Sequence, residues 1–218
     1  MAERDVSGAA GGGAGGGATG ERRFADALAK ARTEWAAADP AACAGRAGCE
    51  VTADGVLVPF FREQHLVAHP GGAVTAAGAP AHVAVTILLL HYLLRAPGTP
   101  PDGRLVTFRE LPGGLFYAAS LADRAEAPLA RAFAGGEERL EALAAAARAL
   151  GGEPLELADA AWSIPALPRV PLAVLVWLGD EDMPGESRLL FDAGAEDYLP
   201  PEDLAGLGGL LSRRLAAS

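Results

Sequence analysis

Apolar positions along this chain recur with two different periods, and each change of period marks a new element. Phe24, Leu28 and Trp35, with Ala25, Ala31 and Ala36, fall at helical spacing within residues 21–38, while Arg22, Arg23, Asp26, Lys30 and Glu34 lie mostly elsewhere. Asp39-Pro40 stops that helix. Residues 51–76 instead alternate short β-type runs with turn chemistry. Asp54-Gly55 and His69-Pro70-Gly71-Gly72 are turns between the runs Val56-Leu57-Val58-Pro59-Phe60-Phe61, His65-Leu66-Val67-Ala68 and Ala73-Val74-Thr75. An antiparallel meander is the simplest reading, with Pro59 placing its strand near an edge.

The helical period returns after Pro80. Val83, Ile87, Leu90, His91 and Leu94 share one face over residues 81–95, and Leu88, Leu89 and Leu93 widen it until the helix is apolar nearly all round. Such a helix is buried on most sides. Residues 104–108 predict a strand, and Arg109-Glu110-Leu111-Pro112-Gly113-Gly114 a turn. A helix reaching Phe133 follows, with Pro128 as a break. Residues 137–150 form an Ala-rich helix with Leu140, Leu143, Ala147 and Leu150 on one face, capped by Gly151-Gly152. Residues 155–170 are rich in proline and predict irregular structure, pinned by Trp162, Ile164 and Leu167.

The most informative stretch comes next. The apolar run from Pro171 to Leu178 ends in Gly179, and Asp180, Glu181 and Asp182 follow it directly. Pro184-Gly185 breaks the chain, and a shorter apolar run ends at Asp192. This predicts a buried strand, an acidic turn and a return strand. Pro200-Pro201-Glu202-Asp203 then has helix-start chemistry, with two acids facing the positive end of the dipole. Leu204, Leu207, Leu211 and Leu215 form the seam of that last helix, which Gly206, Gly208 and Gly209 weaken. The predicted fold class is α+β: antiparallel hairpins and a meander packed with three to five helices.

Composition adds boundaries to this outline. Residues 1–20 are Gly- and Ala-rich and predict a disordered tail, leaving residues 21–218 as a single α+β domain. At 50% hydrophobic residues the chain has enough apolar surface for a sizeable core. The net charge of -10 excludes nucleic acid and anionic membrane as expected partners, because phosphate neutralisation needs clustered Lys and Arg. No basic start precedes an apolar run, as a signal peptide requires. The most apolar segment, residues 83–94, is short of the about 20 residues that span a bilayer. A cytoplasmic location is the expectation. Two cysteines, Cys43 and Cys49, match no zinc or iron–sulfur spacing and read as free thiols in a loop. A small molecule, a metal or another protein stays open as partner, as do the cofactor and the oligomeric state.

The candidate functional residues are those that interrupt apolar segments. Asp180, Glu181 and Asp182 sit where a hard cation would find converging oxygens, or they form a solvated turn that keeps a hairpin soluble. Asp192 returns beside Asp180 or lies at the far end, according to the hairpin register. His91 must satisfy its ring nitrogens within an apolar helix. It does so with a core acceptor, or as a metal ligand or proton carrier with Asp180 or Glu110 as partner. The metal candidates are therefore His91, Asp180 and Asp182. Arg109 and Glu110 combine an ion pair with a turn in which Gly113 and Gly114 expose backbone N–H groups that can hold an anion. No phosphate loop or dinucleotide fingerprint is present, and no serine or cysteine has the context of a catalytic nucleophile.

These motifs also carry a resemblance. Leu90-His91-Tyr92-Leu93, then Phe108 to Gly114, then Gly179-Asp180-Glu181-Asp182-Met183-Pro184 with Leu190-Phe191-Asp192, and Tyr198-Leu199 with Glu202-Asp203 come in one order. Over residues 50–215 the chain resembles a prokaryotic domain-of-unknown-function family with LHYL, FRELPGG, GDEEFP, LFD and YL-x-x-ED motifs. The resemblance implies no activity. Some members resemble fusions with a four-cysteine iron–sulfur domain of anaerobic metabolism, and this chain departs from them in having only Cys43 and Cys49. Its Asp182-Met183 also replaces the usual Glu-Phe.

Three readings follow. One is a binding or accessory domain, metal- or cofactor-associated, using a surface shared by His91, Arg109, Glu110, Asp180, Glu181 and Asp182. Another is a metal-assisted hydrolase or transferase with His91 as acid/base. The third makes these residues determinants of the fold or of an interaction surface alone.

Overall fold

The computed structural model describes residues 15–217 of the chain, with side chains from residue 24. Most of the expected tail, residues 1–20, lies outside the described residues. α1 runs Gly15–Ala37 and is held by Trp35, whose indole N–H donates to Ala68 O at 2.9 Å. The chain then turns straight into α2 (Pro40–Ala47). Asp39 is the reason: its carboxylate caps α2 by accepting from Ala41 N, and Pro40 takes the first turn, where its missing N–H costs nothing. Cys43 is thus on a buried helix face and not in the loop expected for it. Both cysteines are free.

The meander is present as one antiparallel sheet, β1 (Glu50–Thr52), β2 (Gly55–Phe60), β3 (Glu63–Ala68), β4 (Val74–Ala76) and β5 (Ala79–Pro80), in sequence order. β2 is the second strand, not the edge. Pro59 is accommodated because β1 pairs only as far as Leu57, so no strand asks Pro59 for an N–H on that side.

α3 (Val83–Arg95) starts later than its hydrophobic pattern suggests. Pro80 ends β5, and His82 caps the helix through its ring Nδ1, which accepts from Ala84 N at 3.2 Å. Tyr92 on α3 ties three segments together. Its hydroxyl donates to Ala47 O and accepts from Arg169 N, while its ring stacks on Tyr198.

A second antiparallel sheet has the order β6 (Leu105–Thr107), β10 (Glu186–Asp192), β9 (Val170–Trp177), β8 (Ala160–Leu167) and β7 (Glu153–Pro154). β9 is its centre, which explains the unbroken apolar run: Leu172, Val174 and Val176 point into the main core, while Ala173 and Leu175 join a smaller cluster on the other face. β8 replaces the irregular segment expected over residues 155–170. Its one proline, Pro165, is absorbed at a register shift between Pro165 and Leu167.

Helices cover the core face. α4 (Gly114–Leu121) passes through one π-helical turn, residues 122–126, into α5 (Ala127–Phe133), and α6 (Glu137–Ala149) follows. Ser212 donates to Ala125 O, one of the carbonyls in the π turn. The short α7 (Ala195–Tyr198) leads into α8 (Pro201–Ala216), which packs on α4, the π turn, α5 and α6. Gly208 permits that approach, since a Cβ there would sit 2.6 Å from Leu121 Cδ1. Arg214 of α8 reaches the first sheet, forming a bidentate pair with Glu63 and lying over Phe60 and Phe61. The expected α+β class is therefore the observed one. Among the described residues no helix is long and apolar enough to cross a membrane.

Candidate functional site

His91 sits near the C-terminal end of α3, half-buried, and its partner comes from α8. Its Nδ1 lies 2.6 Å from Asp203 Oδ2. Asp203 is in the first turn of α8, as the helix-start acids require, and the pair bridges two helices 112 residues apart in sequence. A short contact with a carboxylate fixes the ring orientation and places the proton on Nδ1, leaving Nε2 for other work. The sequence reading offered Asp180 or Glu110 as this partner. Asp203 was visible only inside the YL-x-x-ED motif, where its helix-start role was the apparent explanation.

The pair borders a groove of about 780 Å³ between α3 and α8, a size within the range of small-molecule sites. One wall carries Val85, Ile87 and Leu88 of α3. The other carries Gly206, Gly209 and Leu210 of α8, with Phe24 of α1 at the rim. Residues 203, 206, 209, 210 and 213 form one stripe on α8 at helical spacing. Gly206 has no packing role: a Cβ there would meet nothing within 4 Å. A glycine inside a helix costs about 1 kcal/mol relative to alanine, and here the return is an open groove floor. Arg124, on the π turn, and Arg213 also line it, as do His82 and Glu202. Among the described residues no Ser, Thr or Cys side chain lines the groove.

The other predicted residues go to different places. Glu110 turns back on its own segment, where its carboxylate accepts from Thr107 N and Oγ1. Those two bonds hold its carboxyl below the ordinary range. Arg109 is exposed, and the ion pairs among the described residues do not join it to Glu110. Gly113 takes a left-handed conformation, and Gly114 packs so tightly that a Cβ would overlap Phe108 O at 1.8 Å. The glycines therefore close the turn against the 108–110 segment. Gly113 also lies against Pro201, which brings the RELPGG turn to the start of α8 beside Asp203.

The acidic turn is exposed. Asp180 accepts from Met183 N and Asp182 N, and these bonds hold its carboxyl low. The loop is thus organised by its first acid, and Glu181 and Asp182 face solvent. Gly185 fits against Ala134, at the end of α5. Asp192 lies at the far end of the hairpin. The register pairs Glu186 with Trp177 and Phe191 with Leu172, so roughly 20 Å of strand separates Asp192 from the turn. Asp192 is 1% exposed and accepts from Asp102 N, Gly103 N and Gly194 N, tying the loop before β6 to the end of β10.

Among the described residues no three His, Cys, Asp or Glu side chains are grouped to hold a metal ion. His91, Asp180 and Asp182 therefore form no such cluster. Burial pushes the Cys49 thiol up to about 12 and raises that of Cys43 as well, which keeps both as thiols. A second hollow, about 300 Å³, opens beside Trp162 and is bordered by Glu137, Glu141 and Asp159. Among the described residues its lining includes no Lys, Arg or His, and Arg148 lies over the Trp162 ring at 5.0 Å.

The family model described as Domain of unknown function (DUF3786) matches residues 39–214, a span that contains the whole groove except the rim contributed by α1. No curated protein and no solved structure matches the chain.

Proposed function

Since the chain belongs to the family described as Domain of unknown function (DUF3786), a description that carries no activity, we propose a role from the groove itself: this domain binds a small molecule between α3 and α8, with His91 as its hydrogen-bonding contact. One observation carries the proposal. The His91–Asp203 pair stands at the edge of a groove of about 780 Å³ whose other lining is largely apolar. An apolar cleft with a few fixed polar groups is what small-molecule recognition requires. The open Gly206 supports the same reading, because its helix cost has no return in packing.

A second reading adds chemistry to the same site. A histidine oriented by a carboxylate through Nδ1 offers Nε2 as a general base or acid. The pair favours this reading, and the chemistry it supplies is proton transfer at Nε2. The acidic turn, Glu110 and Asp192 have local roles in loop and strand ends and need not contribute.

The test is a fluorescence titration of the full chain with the neutral apolar dye N-phenylnaphthylamine. Saturable binding at one site, lost in Gly206→Phe with the fold retained, supports the proposal. Equal binding by the variant contradicts it.

A further inference from the structure

The groove has two chemically different ends. α8 rises about 1.5 Å per residue, so Asp203 and Arg213 are separated by roughly 15 Å along its axis. At the first end lie His91, Asp203 and Glu202. At the other, Arg124 and Arg213 flank Gly209: a Cβ on that glycine would sit 3.6 Å from Arg124 Cβ and 3.6 Å from Arg213 Nη1. His82 also lines the groove, its Nδ1 committed to the cap of α3. Both guanidiniums are exposed, and among the described residues neither has a hydrogen-bond or ion-pair partner. The chain carries a net charge of -10. Two cations at one end of an apolar groove, with no carboxylate beside them in the lining among the described residues, run against that balance.

Resting on the reading of the groove as a small-molecule site, we propose that its ligand is an amphiphilic anion: an acid head group held by Arg124 and Arg213, and an apolar body lying along Val85, Leu88, Gly206 and Leu210 toward His91. The guanidinium fork matches the two oxygens of a carboxylate or the face of a phosphate. The apolar walls between the ends supply no partner for a polar body. Arg124 also projects from the π turn, a backbone irregularity that recurs at functional sites.

The experiment compares two dyes of similar shape on the full chain, anilinonaphthalene sulfonate (anionic) and N-phenylnaphthylamine (neutral). The expected result is that Arg124→Met/Arg213→Met weakens the sulfonate dye about tenfold, leaves the neutral dye unchanged, and leaves the melting temperature near that of the wild type. Decanoate is then expected to displace the sulfonate dye from the wild type far better than decanol does. If the neutral dye binds and the sulfonate dye ignores both substitutions, the anion assignment is overturned while the groove stands. If neither dye binds the wild type, the groove reading falls and the anion assignment falls with it.

Discussion

His91 Nδ1 and Asp203 Oδ2 meet at 2.6 Å across a groove that otherwise keeps α3 and α8 apart. Both side chains are shielded from water, with 28% and 16% exposure. A charge-assisted bond in that setting contributes about 1.5–3 kcal/mol. A double-mutant cycle of His91→Ala and Asp203→Ala by urea denaturation is expected to give a coupling of that order. Additive effects would mean that the contact is incidental to the fold.

Two glycines predict opposite outcomes for one substitution. Gly114→Ala places a Cβ 1.8 Å from Phe108 O, so the RELPGG turn must open. The expected loss is about 3 kcal/mol or more. Gly206→Ala meets open space on the groove floor, and the gain in helix propensity is expected to raise stability by up to about 1 kcal/mol. Thermal melts of the two variants measure both.

The acids of the hairpin separate in the same way. Asp192→Ala removes the acceptor of three backbone N–H groups in a buried position. It is expected to cost about 3 kcal/mol. Asp180→Ala affects only an exposed loop and is expected to leave the melting temperature within a few degrees. Calorimetry of the two variants at neutral pH distinguishes them.

His65 gives the fold an acid-side limit. The residue is 4% exposed and its ring meets the edge of Phe60. Burial holds its pKa below the ordinary imidazole range, more than the neighbouring Glu63 carbonyl and carboxylate raise it. The unfolded chain therefore binds a proton that the folded chain resists. Stability from this group is full above about pH 6.5 and falls as pH drops from there through the folded value. His65→Leu is expected to flatten that part of the stability–pH profile. Glu63 acts lower. Its bond to Arg214 depresses its carboxyl, so its contribution is present above the usual glutamate range and lost only below about pH 4.3.

The fold was largely legible because period and turn chemistry agreed. The run from Pro171 to Leu178 had to be a strand buried on both faces, and β9 is one. Two segments misled for identifiable reasons. The prolines of residues 155–170 suggested irregular structure, but Pro165 and Pro171 stand opposite each other at a register shift, where neither has to donate. Asp39-Pro40 ended a helix and also began one, because its aspartate caps α2. The candidate site was only half legible. His91 stood out as a polar residue in an apolar helix. Asp203 did not, since an acid in the first turn of a helix already has a dipole to face. Arg124 and Arg213 are ordinary surface residues in sequence. Only the packing of α8 against the π turn brings them together around Gly209.

Blocking the groove without disturbing the fold is the most direct test of its role. Gly206→Phe projects a ring into a space where a Cβ meets nothing within 4 Å. Titration of the wild type and this variant with N-phenylnaphthylamine, beside a thermal melt of each, decides the matter. The account predicts a variant at least as stable as the wild type that no longer binds the dye. A folded variant that binds as well as the wild type would contradict it.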